Sequence, residues 1–271
     1  MLYSPMQTTG KLGARFKVVL TLHDLIYYQH REPPSEFNWL VRLLWRFYHL
    51  TYWPGRLMLR GARGVVTISE TSLRLIQDHN LYSGPVEVIY NAGQSFNAEP
   101  RGGQSRKLCY MGSFMPYKDV ETLIKGVGSR YELHLLSKIT EQRRDQLQTL
   151  ADRCNARVVF HEGVNDEQYQ AALAESFALV SASRSEGFGI PIIEAMSLGV
   201  PVVCSDIAVF REVGGQAALF FAPGDPADLA QKLSLLETQW NERSKASIEN
   251  AKRFSWEASA KKLKEFLDSV D

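Results

Sequence analysis

The stretch SRSEGFGIPIIEAMSLGVPVV, residues 183–203, sets two glutamates, Glu186 and Glu194, on either side of a Gly-Phe-Gly turn. The run before it, FALVSAS, reads as a strand whose carboxyl end lies at Ser183, and SRSEGFG reads as the loop that leaves the strand. Pro191 suits the first turn of a helix, because its missing N–H would find no partner there anyway. Gly199 fits just past the end of that helix, and PVVCSD restarts a strand. In open α/β sheets, ligands bind outside the carboxyl ends of the strands, near helix N-termini. Gly187 and Gly189 allow close backbone approach there, and the N-terminal N–H groups favour an anion. Glu186 falls on the loop and Glu194 about one turn into the helix, and a carboxylate accepts hydrogen bonds from vicinal hydroxyls. A sugar and a ribose joined by a diphosphate match this layout. Either glutamate alone reads as solvated, with Glu194 merely complementing the helix dipole; the combination of strand end, turn, proline and restarting strand argues for a ligand.

The same strand–helix rhythm extends outward from residue 106. RKLCYMG, YELHLLS, RVVFHEG, FALVSAS, PVVCSD and AALFFAP read as strands. KDVETLIKGV, EQRRDQLQTLADRC, DEQYQAALAES, PIIEAMSLG and PADLAQKLSLLE read as helices between or after them. This alternation predicts a parallel sheet with helices on both faces, a complete doubly wound domain over 106–254. The first ninety residues carry less of the pattern: FKVVLTL, GVVTIS and VEVIYN are the clear strands, with a long aromatic helical stretch at 36–60. The expected division is a partial Rossmann-like domain at 1–92, a polar, Gly-rich linker at 93–105, the domain at 106–254, and an amphipathic helix at 255–271.

Composition narrows the classes. Of 271 residues, 45% are hydrophobic and 23% charged, and the net charge of +1 gives no global pull toward nucleic acid or membrane. Three cysteines, Cys109, Cys154 and Cys204, are too widely spaced for a CxxC pair, so they read as buried or free thiols rather than a disulfide framework or zinc site. No apolar run reaches the roughly 18 residues that span a bilayer, and the start lacks the pattern of a signal peptide. The expected location is cytoplasmic.

SEGFGIPIIEAMSLGVPVVCSD resembles the signature of the retaining glycosyltransferases of family 4, the glycosyl transferases group 1, which have the GT-B fold of two Rossmann-like doubly wound domains. YMGSFMPYKDVETLIKGV, VVFHEGVNDEQYQAALAES, VLTLHDL and VVTISETS extend the resemblance along essentially the whole chain. It implies transfer of a hexose from a nucleotide diphosphate sugar, UDP- or GDP-linked, to a glycan or lipid-linked acceptor, with no metal cofactor. Position by position, it implies that Glu186 hydrogen-bonds the donor hexose and Glu194 holds the ribose. The backbone of Gly187, Phe188, Gly189 and Ile190 would lie against sugar and phosphates, Lys118 would neutralise the diphosphate, and Ser113 would stand beside it. Val164, in the loop Glu162–Gly163–Val164, would face the base, and His23 of TLHDL would lie near the donor sugar. Alone, His23 reads as a histidine packed at a strand end and Lys118 as a solvated lysine. Many relatives place an arginine near this lysine; here those places hold Ser113 and Tyr117.

The opening strand and Gly-rich loop of the family's first domain have no counterpart, and MLYSPMQTTGKLGARF resembles that domain's interior. The first sheet is therefore expected to be incomplete, with an exposed edge that another chain or a second copy covers. A nucleotide-sugar-binding partner subunit or truncated member without its own turnover is the alternative function, and a UDP-sugar epimerase, whose kind lacks this glutamate-to-glutamate phrase, a third. In the 36–63 stretch, Arg42, Arg46, Arg56, Arg60 and Arg63 follow Glu36 with no further acid. It reads as a long core helix with a basic edge, or as a face for peripheral membrane contact.

Overall fold

A computed structural model describes residues 1–7, 15–33, 37–94, 103 and 105–271. The chain divides into two compact units. The first comprises Met1–Asn91, Glu186–Phe188 and Trp256–Asp271; the second comprises Ala92–Ser185 and Gly189–Ser255. Of the expected linker, residues 95–102 and 104 lie outside the described residues.

The first unit holds a four-stranded parallel sheet, β1 (Leu2–Ser4), β2 (Val18–Leu22), β3 (Gly64–Thr67) and β4 (Val86–Val88), in that spatial order. The sequence showed three of these strands. β1 escaped notice because LYS is three residues long with no β-branched side chain, and only its pairing with Val18–Leu20 defines it. β2 and β3 are buried at every position, as continuous apolar runs in parallel sheets are. The expected core helix over 36–60 is not one helix. Among the described residues it is α2 (Trp39–Tyr48) and α3 (Trp53–Leu59), following α1 (Ile26–Gln29), with Pro54 in the first turn of α3. No residue of α2 is buried, so the core reading does not hold for α2, whereas Leu59 of α3 joins the core of the first unit. α4 (Glu70–Asp78) then begins on a Ser69 cap whose Oγ accepts from Ser72 N at 3.0 Å.

The second unit is a six-stranded parallel sheet: β5 (Lys107–Tyr110), β6 (Glu132–Leu135), β7 (Arg157–Phe160), β8 (Ala178–Ser181), β9 (Val202–Ser205) and β10 (Leu219–Phe221). Its spatial order, β10-β9-β8-β5-β6-β7, is that of the doubly wound nucleotide-binding folds, whose direction of winding reverses between β5 and β8. Leu108, Leu133, Val180 and Phe221 meet Leu123 and Ile124 of α5 (Val120–Val127) and Leu147 of α6 (Glu141–Arg153) in one core. α7 (Asp166–Ala174) starts with a reciprocal Asn165–Gln168 capping box. α8 (Ile190–Ser197) and α9 (Ala208–Gly214) pack on β9.

α10 (Pro226–Ala251) runs a further fourteen residues, 238–251, past the PADLAQKLSLLE segment that the sequence marked as helical. Its buried face continues Leu229, Leu233, Leu236, Ser244, Ser247, Ala251, so the helical period persists while the residues stop being apolar. Gly199, held at φ +71°, packs so closely against this helix that a Cβ on it would come within 3.1 Å of Ser244 Oγ.

α11 (Trp256–Val270) returns to the first unit, where Phe266 and Val270 close over Val19, Val66 and Ile89. Lys262 Nζ donates to Val88 O at 2.7 Å and Ser259 Oγ to Tyr90 O at 2.6 Å, fixing the register of the helix on β4. A Cβ on Gly64 would lie 2.7 Å from the Phe266 ring, so strand and helix approach more closely than any other residue allows. Phe266→Ala is expected to destabilise this unit by about 3 kcal/mol, read as a lower urea midpoint with an unchanged m-value.

Candidate functional site

Two loops leave neighbouring strands at the reversal point of the second unit. β5 and β8 pair directly, Leu108 with Ala178 and Cys109 with Leu179. The loop after β5 contains a 3₁₀ turn, Pro116–Lys118, and the loop after β8 leads through Ser183 and Arg184 toward α8. Arg184 N donates to Tyr117 O at 2.8 Å, and the Arg184 guanidinium contacts Asp119 Oδ2 at 2.9 and 2.8 Å. Asp119 is buried and holds the left-handed conformation (φ +47°). The two loops are therefore fixed to one another at the carboxyl ends of β5 and β8, where doubly wound sheets bind nucleotides. Arg184 is a cation the sequence reading passed over; nothing in SRSE marks it as the partner of Asp119.

Lys118 is half-buried at the end of the 3₁₀ turn, its ammonium 5.4 Å from the centre of the Tyr117 ring. Ser113 is exposed, and its carbonyl accepts from Tyr110 Oη at 2.6 Å, which orients the start of the same loop.

Gly189 caps α8 in the left-handed region, φ +99°, which only glycine adopts without strain. Ile190 is the first helical residue and is 36% exposed, and Pro191 follows it. Glu194 is buried at 6% exposure. Its Oε2 accepts from Tyr169 Oη at 2.9 Å, and its Oε1 accepts from Gln94 N at 3.4 Å. A Cβ on Gly93 would stand 2.8 Å from Glu194 Cγ, so the backbone at 93–94, expected as linker, lies against this side chain. A carboxylate has about four lone-pair positions; these two contacts leave acceptor capacity for a diol. Burial, and then the Glu194 charge, push the Tyr169 hydroxyl well above the usual phenol range, so it stays protonated as a donor. Tyr169 lies on α7, twenty-five residues before Glu194, and no motif tied the two together.

The loop at Glu162–Val164 turns through two left-handed residues, Glu162 at φ +58° and Gly163 at φ +104°. Glu162 pairs with Arg144, a Cβ on Gly163 would meet Lys138 Cγ at 2.7 Å, and Val164 is half-buried beside them.

Glu186, Gly187 and Phe188 group with the first unit, as does His23. Glu186 is half-buried, and Phe188 is buried and stacked on Tyr90 at 5.9 Å. Gly187 is packed so that a Cβ would lie 3.0 Å from Asp24 Cβ and 3.4 Å from His23 O. His23 follows β2; its Nε2 faces Pro5 O at 2.8 Å, and a carbonyl can only accept, so Nε2 carries the proton.

Cys109 and Cys204 are buried, and burial pushes the Cys109 thiol up to about 12, so it is inert. Among the described residues, no group of three His, Cys, Asp or Glu side chains is arranged to hold a metal ion, and no helix is long and apolar enough to cross a membrane.

Residues 92–254 match the family described as glycosyl transferases group 1. The chain belongs to this family. The matched segment contains the whole six-stranded sheet, both loops at β5 and β8, and Glu194. Among curated relatives of this chain, the O-antigen chain mannosyltransferase RfbU of Salmonella typhimurium is 28% identical over 213 residues, 76% of this chain and 57% of that protein. The O-antigen chain mannosyltransferase B of Escherichia coli is 34% identical over 160 residues, 55% of this chain and 42% of that protein. The chain thus spans about half the length of these relatives, 57% and 42%. Among solved structures, sucrose-phosphate synthase from Thermosynechococcus elongatus superposes with a TM-score of 0.78 at 19% identity, covering 96% of this chain and 69% of that one. Anabaena HepE in complex with UDP-glucose gives a TM-score of 0.76 at 20% identity, covering 96% and 74%. The fold is of the GT-B type, and these two likenesses speak for the fold alone.

Proposed function

We propose that this glycosyl transferase moves a hexose, with retention of anomeric configuration, from a nucleotide diphosphate sugar to a glycan or lipid-linked acceptor. The observation that carries this reading is the joining of the Lys118 loop to the loop before α8 at the reversal point of the sheet, with a buried, oriented carboxylate at Glu194. Glu194 accepts the ribose hydroxyls. The first-turn amides of α8 and the Lys118 ammonium take the diphosphate, whose charge grows as it leaves; stabilising that charge is the largest electrostatic task in the transfer. Ser113 and Ile190 border this path, and the Val164 loop faces the base. Glu186 orients the hexose and stabilises its developing positive charge, and His23 stands beside the sugar. The acceptor oxygen attacks the anomeric carbon from the face that the diphosphate leaves, and the departing phosphate takes the acceptor proton. No metal is assigned a role. Mannose is the sugar to test first, because the relatives at 28% and 34% identity are named as mannosyltransferases.

Tyr169→Phe tests the positioning of Glu194. Loss of one hydrogen bond to a charged group costs about 1.5 kcal/mol, so nucleotide-sugar affinity is expected to fall by up to about 10-fold, with kcat little changed. Unchanged affinity would show that Glu194 keeps its place without the phenol.

The α2–α3 face is proposed to lie on anionic membrane. Trp39, Leu44, Phe47 and Trp53 are 76%, 60%, 61% and 64% exposed. Arg42, Arg46, Arg56 and Arg60 share these helices or their ends, and positions 37–69 hold no acid. Apolar area inserted at the interface, with about 1 kcal/mol per basic residue near an anionic surface, favours binding. The protein is expected to float with anionic vesicles and not with neutral ones, and Arg42→Glu/Arg46→Glu is expected to stay in the soluble fraction. Equal recovery with both vesicle types would contradict this reading.

A further inference from the structure

The residues on either side of Lys118 are both held by one residue of the neighbouring loop, Arg184. Arg184 N donates to Tyr117 O at 2.8 Å. The Arg184 guanidinium places Nε at 2.9 Å and Nη2 at 2.8 Å from Asp119 Oδ2. Tyr117 also supplies the ring that the Lys118 ammonium overlies at 5.4 Å. The backbone before and after the lysine, and one surface that its side chain meets, are thus tied to the loop that leaves β8.

Asp119 does not cap α5 in the ordinary way. It stands at the N-cap position, where an aspartate carboxylate commonly accepts from an amide of the first turn. Here it makes no such bond, and the carboxylate turns to Arg184 instead. The residue is buried, and a buried charge needs a partner. Its backbone holds φ +47°, a region that aspartate enters more readily than most residues. Arg184 is itself anchored from two further elements. Ser205 Oγ of β9 donates to Ser183 O, the carbonyl just before it. In the loop after β10, Gly224 holds φ +79°, and a Cβ on it would stand 2.8 Å from Arg184 Nη2. Loops at the carboxyl ends of β5, β8 and β10 therefore meet on one guanidinium.

The Asp119 charge balances that of Arg184, so the pair adds geometry to the site rather than a second cation. Geometry is what a lysine lacks by itself, because its compact charge rides on a flexible four-carbon stem. We infer that Arg184 is a positioning residue that fixes the Lys118 turn against the loop before α8. That this placement serves the leaving diphosphate rests on the glycosyl-transfer reading; the fixing of the turn does not.

The test is a double-mutant cycle with a hydrogen-exchange measurement beside it. Turnover is read as nucleotide release from GDP-mannose or UDP-glucose, with water as the acceptor. A misplacement of about 1 Å can lower a rate by about 10²-fold, so Arg184→Ala is expected to lower kcat by about 10- to 10²-fold and to change KM by less than about 3-fold. In a Lys118→Ala background the same substitution should change kcat by less than about 2-fold, because a residue that acts through the lysine has nothing left to position. Asp119→Asn keeps an oxygen for Arg184 and suits the left-handed backbone. It should retain more of the rate than Arg184→Ala, and it completes the cycle if Arg184→Ala folds poorly. Exchange needs no turnover. The amides of Lys118 and Asp119 donate to Met115 O at 2.9 Å and Pro116 O at 3.1 Å. In Arg184→Ala both should exchange at least about 10-fold faster, with the amides of β6 unchanged.

Full kcat in Arg184→Ala would overturn the inference. So would an equal fold-loss in both backgrounds, which describes an arginine acting independently of Lys118. Exchange that is unchanged at the turn, or faster by the same factor in β6, would overturn it too, the latter describing a general loss of stability. A parent chain that releases neither nucleotide counts against the transfer reading alone, and the exchange result then decides this one.

Discussion

Glu194→Ala is expected to weaken nucleotide-sugar binding by about 10²-fold or more. Hydrogen bonds from a diol to a charged carboxylate contribute about 1.5–3 kcal/mol each, and the side chain is already buried and held by Tyr169 and the backbone at Gln94. Little ordering remains to be done when a ribose arrives, so the loss on truncation is large. The substitution also strands the Tyr169 hydroxyl at a buried position, which costs roughly 1–3 kcal/mol of stability. Glu194→Gln separates the two effects: its amide keeps a carbonyl for Tyr169 and the fold, but loses the charge that the ribose hydroxyls would meet in the proposed reading. Affinity of Glu194→Gln should therefore fall while its melting temperature stays close to that of the parent. A Glu194→Ala protein that binds nucleotide sugars normally would remove this residue from the site.

Lys118→Ala has the second large effect, and of a different kind. In the proposed reading, the ammonium meets the diphosphate most strongly when the glycosidic bond is breaking, because negative charge accumulates there at that moment. Removing one such preorganised group lowers kcat by about 10²–10³-fold in comparable sites, with a smaller change in KM. Lys118→Arg, which keeps the charge on a wider, planar head, should recover part of the rate. The rest of the turn should not move, because the Arg184–Asp119 pair and the Arg184 N to Tyr117 O bond join the two loops in Lys118→Ala as well. Equal loss of kcat and of ground-state nucleotide affinity would instead describe a lysine that binds donor and transition state alike.

The second unit was legible because most of its strands are apolar runs that alternate with helical patterns, and because Gly189, Pro191 and Gly199 punctuate the one stretch that matters. What escaped reading did so for physical reasons. β1 is defined by pairing rather than by its own residues. The second half of α10 buries Ser244 and Ser247, so its period carries no hydrophobic signal. The 36–60 stretch has the pattern of a core helix, and a pattern reports only that a face avoids water. It does not say whether packed side chains, an open cavity or a bilayer lies against that face. In the site, Glu194 was visible in its motif, whereas Tyr169 and the Arg184–Asp119 pair come from other elements and meet only in the folded chain.

The most direct test is calorimetric titration of the purified chain with UDP, GDP and ADP and their hexose conjugates, alongside Glu194→Ala and Lys118→Ala. The account predicts selective binding of one nucleotide and its sugar conjugate, reduced about 10²-fold in Glu194→Ala. Binding of none of them by the folded parent chain, or equal binding by parent and Glu194→Ala, would contradict it.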